Sequence, residues 1–361
     1  MTAGGRPPTT GPDRSSVHRP ASGRRVGMLL ALGVFLLAPI TAEYLTGYDN
    51  TVGQPLELLG GLLILGPLYG APALIIREVV RRTGRGWPSI LLLGLAFGVV
   101  QAGLVDQSLF NTSYRDIDYW DDMMWPTYIP VLGISAYNAM TFLMGHMVSS
   151  IGAPIAVVES LAPRRRTTPW LGPIGLGVAG LLYVAASVLV YDDHVKTEQF
   201  HASAGQLVGA TAVVVGLVVT AFLVGRRPRP RVDRRVPPAW LAGVLSAVAL
   251  NGAVMLAPTW LAVAVTLVPT AGLAVLVARW SRSDRWSPGH VLALAAGALL
   301  AQAAVAFTVD PLGDVALVLK LAHNVILGLG VAGLITAGAL ALRRSRRGSC
   351  PEAPGRDRAD A

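Results

Sequence analysis

Apolar runs about as long as a bilayer core is thick recur along nearly the whole chain, each closed by a polar or charged connection. Ten such spans can be drawn, over residues 26–42, 58–76, 88–105, 136–161, 170–191, 205–225, 239–257, 260–278, 290–308 and 315–342. The pattern predicts an all-α fold, a polytopic integral membrane helix bundle of about ten transmembrane helices.

The connections alternate in charge. Arg24 and Arg25 precede the first span; Arg77, Arg81, Arg82 and Arg85 follow the second; Arg164 to Arg166 follow the fourth. An Arg run over 226–235 follows the sixth span, Arg279, Arg282 and Arg285 follow the eighth, and Arg343, Arg344, Arg346 and Arg347 follow the tenth. With Arg6, Arg14 and Arg19 before the first span and Arg356 and Arg358 after the last, 27 of the 30 Lys and Arg fall on one side, and only Arg115, Lys196 and Lys320 fall elsewhere. Cytoplasmic loops carry the excess of Lys and Arg, so this distribution predicts cytoplasmic N and C termini and an even number of spans.

Composition narrows the class. Of 361 residues, 53% are hydrophobic and 14% charged, with a mean hydropathy of +0.53. A soluble domain carries about 25% charge, so a soluble enzyme, a nucleic-acid binder and a secreted module are excluded. The net charge of +9 follows from topology and gives no reason to expect nucleic acid. The expected setting is a multi-pass protein of the cell membrane with the lipid bilayer as its first partner. Residues 1–25 and 343–361 read as disordered cytoplasmic tails around a helical domain over 26–342. Arg24-Arg25, the apolar run and Thr41-Ala42 imitate the three regions of a cleaved leader, although 25 residues before the apolar run is long for one. The single Cys350 allows no intrachain disulfide and implies no thiol chemistry.

Spans six to nine are nearly pure Ala, Val, Leu and Gly, apart from Asn251 and Gln302, and read as a wall packed through small residues. Ionisable groups inside a membrane mark function by default. They concentrate in the first half, so chemistry is expected there, with help from span ten.

The outer loop over 106–128 is the densest candidate: Asp106, Asp116, Asp118, Asp121 and Asp122 with Tyr114, Tyr119, Trp120, Trp125 and Tyr128. Two readings stand side by side. Asp118 and Asp122, four apart on a helical face, could join other acids on a divalent cation, which needs several oxygens at close range. Alternatively, the loop is a solvated acidic surface with interfacial aromatic anchors. Glu43 and Glu57 bracket the first outer loop, where an acid at an apolar boundary can act as a proton donor. Pro55 puts Glu57 in a helical first turn, where the positive end of the helix dipole favours it as an ion or a ligand for a cation, which makes it the preferred candidate of the two; snorkelling into headgroups is the plainer role.

In span four, Asn138, Thr141, Gly145 and Ser149 follow one helical face, either a polar lining or helix-to-helix glue. His146 lies off that face near Ser149 and Ser150, a neutral buried His or a proton relay. In span ten, Lys320, His323 and Asn324 share a face, with Lys320 able to reach outward to Asp310 or Asp314. Arg77-Glu78 with Arg81-Arg82 reads as a topology anchor suited to anionic headgroups, Glu78 pairing with Arg82 at four residues' spacing. There is no phosphate-binding Gly-rich loop with Lys-Ser/Thr, no Gly-x-Ser-x-Gly, no His-Glu-x-x-His and no metal-spaced Cys. Nucleotide hydrolysis is excluded on that ground.

Residues 60–112 carry Gly66-Pro-Leu-Tyr-Gly70, then Arg77-Glu78 with Arg81-Arg82, then Gly86-Trp87-Pro88 and Leu109-Phe-Asn111. This stretch resembles a family of actinobacterial multi-pass membrane proteins with no assigned activity. The resemblance implies paired glutamates where this chain has Gln101-Ala102, so any carboxylate chemistry shared through that pair is absent here. In class alone, the chain is similar to membrane-embedded terpene cyclases, which protonate an isoprenoid in an aromatic-lined pocket. Intramembrane prenyltransferases hold diphosphate through paired Asp groups on the cytoplasmic side, whereas these acids face outward.

The leading expectation is a membrane-embedded enzyme for a lipid-soluble, isoprenoid-like substrate. Its proposed catalytic residues are Glu57, Asp106, Asp118, Asp122 and His146, and Tyr114, Tyr119, Trp120, Trp125, Asn138, Lys320 and His323 are the expected substrate contacts. The alternatives are a transporter for a small solute, or a non-catalytic subunit held by a membrane protein partner.

Overall fold

The computed structural model describes residues 21–224 and 231–347. Residues 1–20, 225–230 and 348–361, Cys350 among them, lie outside the described residues. The helices in chain order are α1 (Ala21–Ala42), α2 (Pro55–Leu65), α3 (Ala71–Arg82), α4 (Trp87–Val100), α5 (Trp120–Met124), α6 (Ala136–Gly145) and α7 (Ala153–Leu161). They continue as α8 (Pro173–Glu198), α9 (Ala204–Leu223), α10 (Ala239–Asn251), α11 (Trp260–Trp280), α12 (Pro288–Val305) and α13 (Leu317–Arg347). A two-residue antiparallel hairpin, Tyr128–Ile129 with Ile134–Ser135, is the one sheet among the described residues. The all-α polytopic expectation holds.

Among the described residues, nine helices are long and apolar enough to cross a membrane. The expected seventh span is the exception. Its helix α10 has 13 residues, about 20 Å at 1.5 Å per residue, because the chain leaves the helix at Asn251-Gly252. It still travels from one end of the bundle to the other. Val232, before α10, bridges Ser283, after α11, and Asp233 pairs with Arg285 at 2.9 Å, so the turn between α10 and α11 lies at the opposite end. Two boundaries also move outward. Helix α1 already includes Arg24 and Arg25, and α13 runs to Arg347, so these basic residues extend helices where tails were expected.

π-helical turns fall at Gly66–Gly70 between α2 and α3, at Gln101–Val105 after α4, and at His146–Gly152 between α6 and α7, so two spans carry such a turn within them and another ends on one. Pro67, Pro72 and Pro154 sit in or just beyond the first and third, where a missing N–H cannot serve a regular helical ladder. A π turn inserts one extra residue and re-aims the side chains around it, a feature common at functional sites. Close approach is reserved for glycine at these breaks. A Cβ on Gly70 would lie 2.1 Å from the Phe35 carbonyl oxygen of α1, and one on Gly297 would lie 1.9 Å from the Gly243 carbonyl oxygen, which locks α12 onto α10.

The core lies within α1, the α2–α3 and α6–α7 spans and α4, with Val34, Leu37, Ile90, Ile151 and Ile155 buried between them and Leu299 of α12 closing it. Helices α8 and α9 sit outside this core and expose Leu181, Val188, Val208 and Val219, the surface that lipid covers in a bilayer.

The arginine-rich connections meet at one end. Arg165 donates to the Gly23 carbonyl, Arg82 to Leu171 O at 2.5 Å, and Arg85 to Phe222 O at 2.9 Å. Beneath them lies a buried ion network. Arg77 donates to Glu78 at 2.6 Å and to Glu159 at 3.1 Å, Arg81 grips both oxygens of Glu159 at 2.8 and 2.7 Å, and Arg77 stacks 3.4 Å from the Trp170 ring centre. Glu78 also accepts the Trp170 and Leu171 N–H groups and pairs with Arg82 at 3.4 Å, as the spacing suggested. Arg77 and Glu78 therefore tie α3 to α7 and to the chain entering α8, and are not presented to headgroups.

Candidate functional site

Opposite this basic end, the ends of α1 and α4 and the segment over 106–128 surround a cleft of about 560 Å³, within the range of small-ligand sites. All three π turns border the region. The first supplies Tyr69, the third supplies His146, Ser149 and Ser150, and the second ends where Asp106 N donates to Gln101 O at 3.0 Å, which turns Asp106 into the cleft.

Two carboxylates face this space, Glu43 at the end of α1 and Asp106. The Tyr48 hydroxyl donates to Glu43 Oε2 at 2.7 Å, and the Tyr69 hydroxyl reaches the same carboxylate. Asp106 Oδ1 accepts the Ser108 N–H at 2.9 Å. Burial pushes the Asp106 carboxyl up to about 6, against the pull of the Ser108 hydrogen bonds, and the nearby Glu43 charge adds to the rise. Glu43 in turn holds the Tyr48 phenol well above its ordinary range, and burial acts in the same direction. Burial also raises the Tyr114 phenol, assisted by Asp106. Two like charges in one partly dry site separate in proton affinity. Glu43, held by two phenols, and Asp106 therefore form a coupled pair able to share a proton.

Deeper in, the His146 ring stacks on Tyr69 at 5.7 Å with Phe97 edge-on at 5.5 Å, and its Nδ1 lies 3.2 Å from Ser150 Oγ. Gln302 of α12 joins the walls here: it donates to Thr41 O at 2.8 Å and accepts from Ser149 Oγ at 2.7 Å. Outward, Trp120 packs on Tyr114 at 5.1 Å and on Phe142 at 6.0 Å, and its Nε1 donates to Asn111 O.

Of the residues named from sequence, Asp106, His146, Tyr114, Tyr119 and Trp120 line the cleft. Thr141, Gly145 and Ser149 of the polar stripe do so too, so that face is a lining. Asn138 is buried just beyond it, where Ser135 caps α6 and the Asn138 amide meets the Met124 sulfur at 3.7 Å. The others are placed elsewhere. Glu57 does lie in the first turn of α2, but on an exposed face away from the cleft. Asp118 stands in a turn before the five-residue α5, so it shares no helical face with Asp122, and both are exposed. Among the described residues, no group of three His, Cys, Asp or Glu could hold a metal ion. Trp125 is exposed, bonded to Asp121 and packed on Tyr128.

Lys320 donates to the Val309 carbonyl rather than to Asp310 or Asp314. His323 Nε2 lies 2.9 Å from Tyr44 O, and Asn324 donates to Ala306 O at 3.0 Å. Span ten thus braces the α1 and α12 ends instead of lining the cleft, while the wall expected to be inert supplies Asn251, Thr266 and Gln302. Sequence reading missed Tyr48 and Tyr69 and ranked Glu43 second. The available signal was Glu43 followed by two tyrosines, Tyr44 and Tyr48, within five residues.

The model of an uncharacterized membrane protein family matches residues 32–346. The chain belongs to that family. The kinship read from residues 60–112 therefore extends over most of the chain, and the protein is a multi-pass membrane protein of a family without an assigned activity. No curated protein and no solved structure matches it. In this member, Gln101, at the position where the resemblance implied a glutamate, is buried in the second π turn and does not border the cleft. The acids of the cleft are Glu43 and Asp106.

Proposed function

We propose that this family member is a membrane-embedded enzyme that protonates a lipid-soluble substrate in the cleft, with Asp106 as the general acid and Glu43 as its carboxyl partner. The observation that carries the reading is the meeting of these two carboxylates in an aromatic-lined, partly buried space. A proton donor works best with a pKa near the operating pH, and the raised Asp106 carboxyl meets that condition. Tyr48 and Tyr69 orient the Glu43 carboxyl, and the negative charge left on the pair when its proton is given up stabilises positive charge developing on the substrate. Tyr114 and Trp120 add aromatic faces that favour the same charge. His146, stacked below, orients Tyr69.

The test uses protein reconstituted into liposomes with lipid extract in deuterated water. Protonation at carbon by Asp106 yields a product carrying one deuterium from solvent, absent with Asp106→Asn. A second reading, a proton-coupled transporter, draws support from the three π turns around the cleft, irregular points in spans of the kind transporters place at their binding sites. No deuterated product, together with solute flux abolished by Asp106→Asn, decides for transport.

A further inference from the structure

We infer that the cleft selects amphipathic organic cations, of the lipophilic amine class, over neutral or anionic molecules of the same shape. The inference rests on the cleft being a ligand site, as proposed above, and adds the charge of the ligand.

Among the described residues that line the cleft, there are two carboxylates and no Lys or Arg. The guanidinium of Arg115 pairs with Asp193 at 2.8 Å and also bonds Tyr114 at the rim, outside the lining itself. The other charged groups on the neighbouring helix, Asp192, Lys196 and Glu198, also lie outside the lining; Lys196 pairs with Asp192, and Glu198 accepts from Asn111 and the Arg115 N–H. The lining itself is therefore acidic, and Arg115 acts on Asp106 only from the rim.

The walls suit such an ion. Tyr69, Tyr114, Trp120, Tyr137 and Phe142 enter from several elements, and ring faces attract desolvated cations, quaternary ammonium above all. Met123, Met140 and Met144 complete an adaptable apolar surface, the kind that accepts varied hydrocarbon bodies. A neutral amine arriving from the bilayer takes the proton shared by Asp106 and Glu43, leaving an ammonium ion held between their carboxylates. A quaternary cation instead displaces that proton to solvent.

The experiment uses the full chain in detergent and two ions of one shape, tetraphenylphosphonium and tetraphenylborate, with farnesol as a neutral ligand, each followed by equilibrium dialysis. The cation is expected to bind at least tenfold more tightly than the borate, with a proton released on binding, and Glu43→Gln or Asp106→Asn to weaken it about tenfold. The comparison of the two ions on the unaltered protein needs no variant to fold. Equal binding of both ions, or cation binding untouched by both substitutions, overturns the inference. Farnesol binding without cation binding overturns it and leaves the ligand site standing; binding of none of the three defeats both.

Discussion

Removing Glu159 is expected to cost far more than removing any surface acid. Its side chain accepts from Arg77 at 3.1 Å and from Arg81 at 2.8 and 2.7 Å, and Arg77 and Glu78 are both 0% exposed. Glu159→Ala leaves Glu78 as the lone carboxylate beside Arg77, Arg81 and Arg82. Breaking a buried ion pair from one side costs about 3–5 kcal/mol, because the partner charge is stranded away from water. The Lys196–Asp192 pair, with side chains 71% and 56% exposed, provides the contrast, since such pairs contribute under about 1 kcal/mol. Unfolding is followed by tryptophan fluorescence against denaturant in a fixed detergent. Glu159→Ala should lower stability by about 3–5 kcal/mol and Lys196→Met by less than about 1 kcal/mol. Adding Arg81→Met to Glu159→Ala should restore part of the loss, because it removes a stranded guanidinium. A Glu159→Ala effect as small as that of Lys196→Met refutes the reasoning.

Three further outcomes are expected. The Asp106 carboxyl is raised to about 6 in the folded chain, so the folded state binds more protons than the unfolded one between pH 4 and 6. The stability that its protonation contributes is complete below about pH 4 and lost as pH rises through about 6, so Asp106→Asn should gain on the unaltered protein across that window in unfolding midpoints. Gly297→Ala forces a Cβ against the Gly243 carbonyl and should cost at least about 1–3 kcal/mol; Gly177→Ala, whose Cβ meets nothing within 4 Å, should be neutral or gain up to about 1 kcal/mol in the same denaturation assay. Lys320→Met should lower the unfolding midpoint yet leave tetraphenylphosphonium affinity within twofold, because Lys320 braces a loop and does not border the cleft.

The all-α, multi-span architecture was legible because it depends on linear quantities. Apolar length predicts where helices cross, and the arginine-rich connections do meet at one end of the bundle. The cleft was only partly legible, for two physical reasons. Each π turn shifts the register by one residue, so a 3.6-residue count along span four cannot place His146, at the start of its π turn, against Tyr69 or carry the face of α6 on to Ser150. The other reason is distance in sequence: Gln302 joins Thr41 and Ser149 across 261 and 153 positions, and no local pattern announces that meeting. Glu57 illustrates a correct local reading with the wrong outcome. Its helix starts at Pro55 as expected, but the first turn of α2 looks away from the bundle. Glu43, read mainly as a helix-end group, is drawn inward by Tyr48 and Tyr69.

The most direct test of the central claim, that Glu43 and Asp106 form the ligand site, is native mass spectrometry of the protein taken gently from its own membranes. The account predicts one discrete small molecule per chain, lost from Glu43→Gln and Asp106→Asn and retained by the double variant Asp118→Asn with Asp122→Asn. Bulk phospholipid alone, or a discrete ligand lost from the Asp118, Asp122 variant and kept by Asp106→Asn, would contradict it.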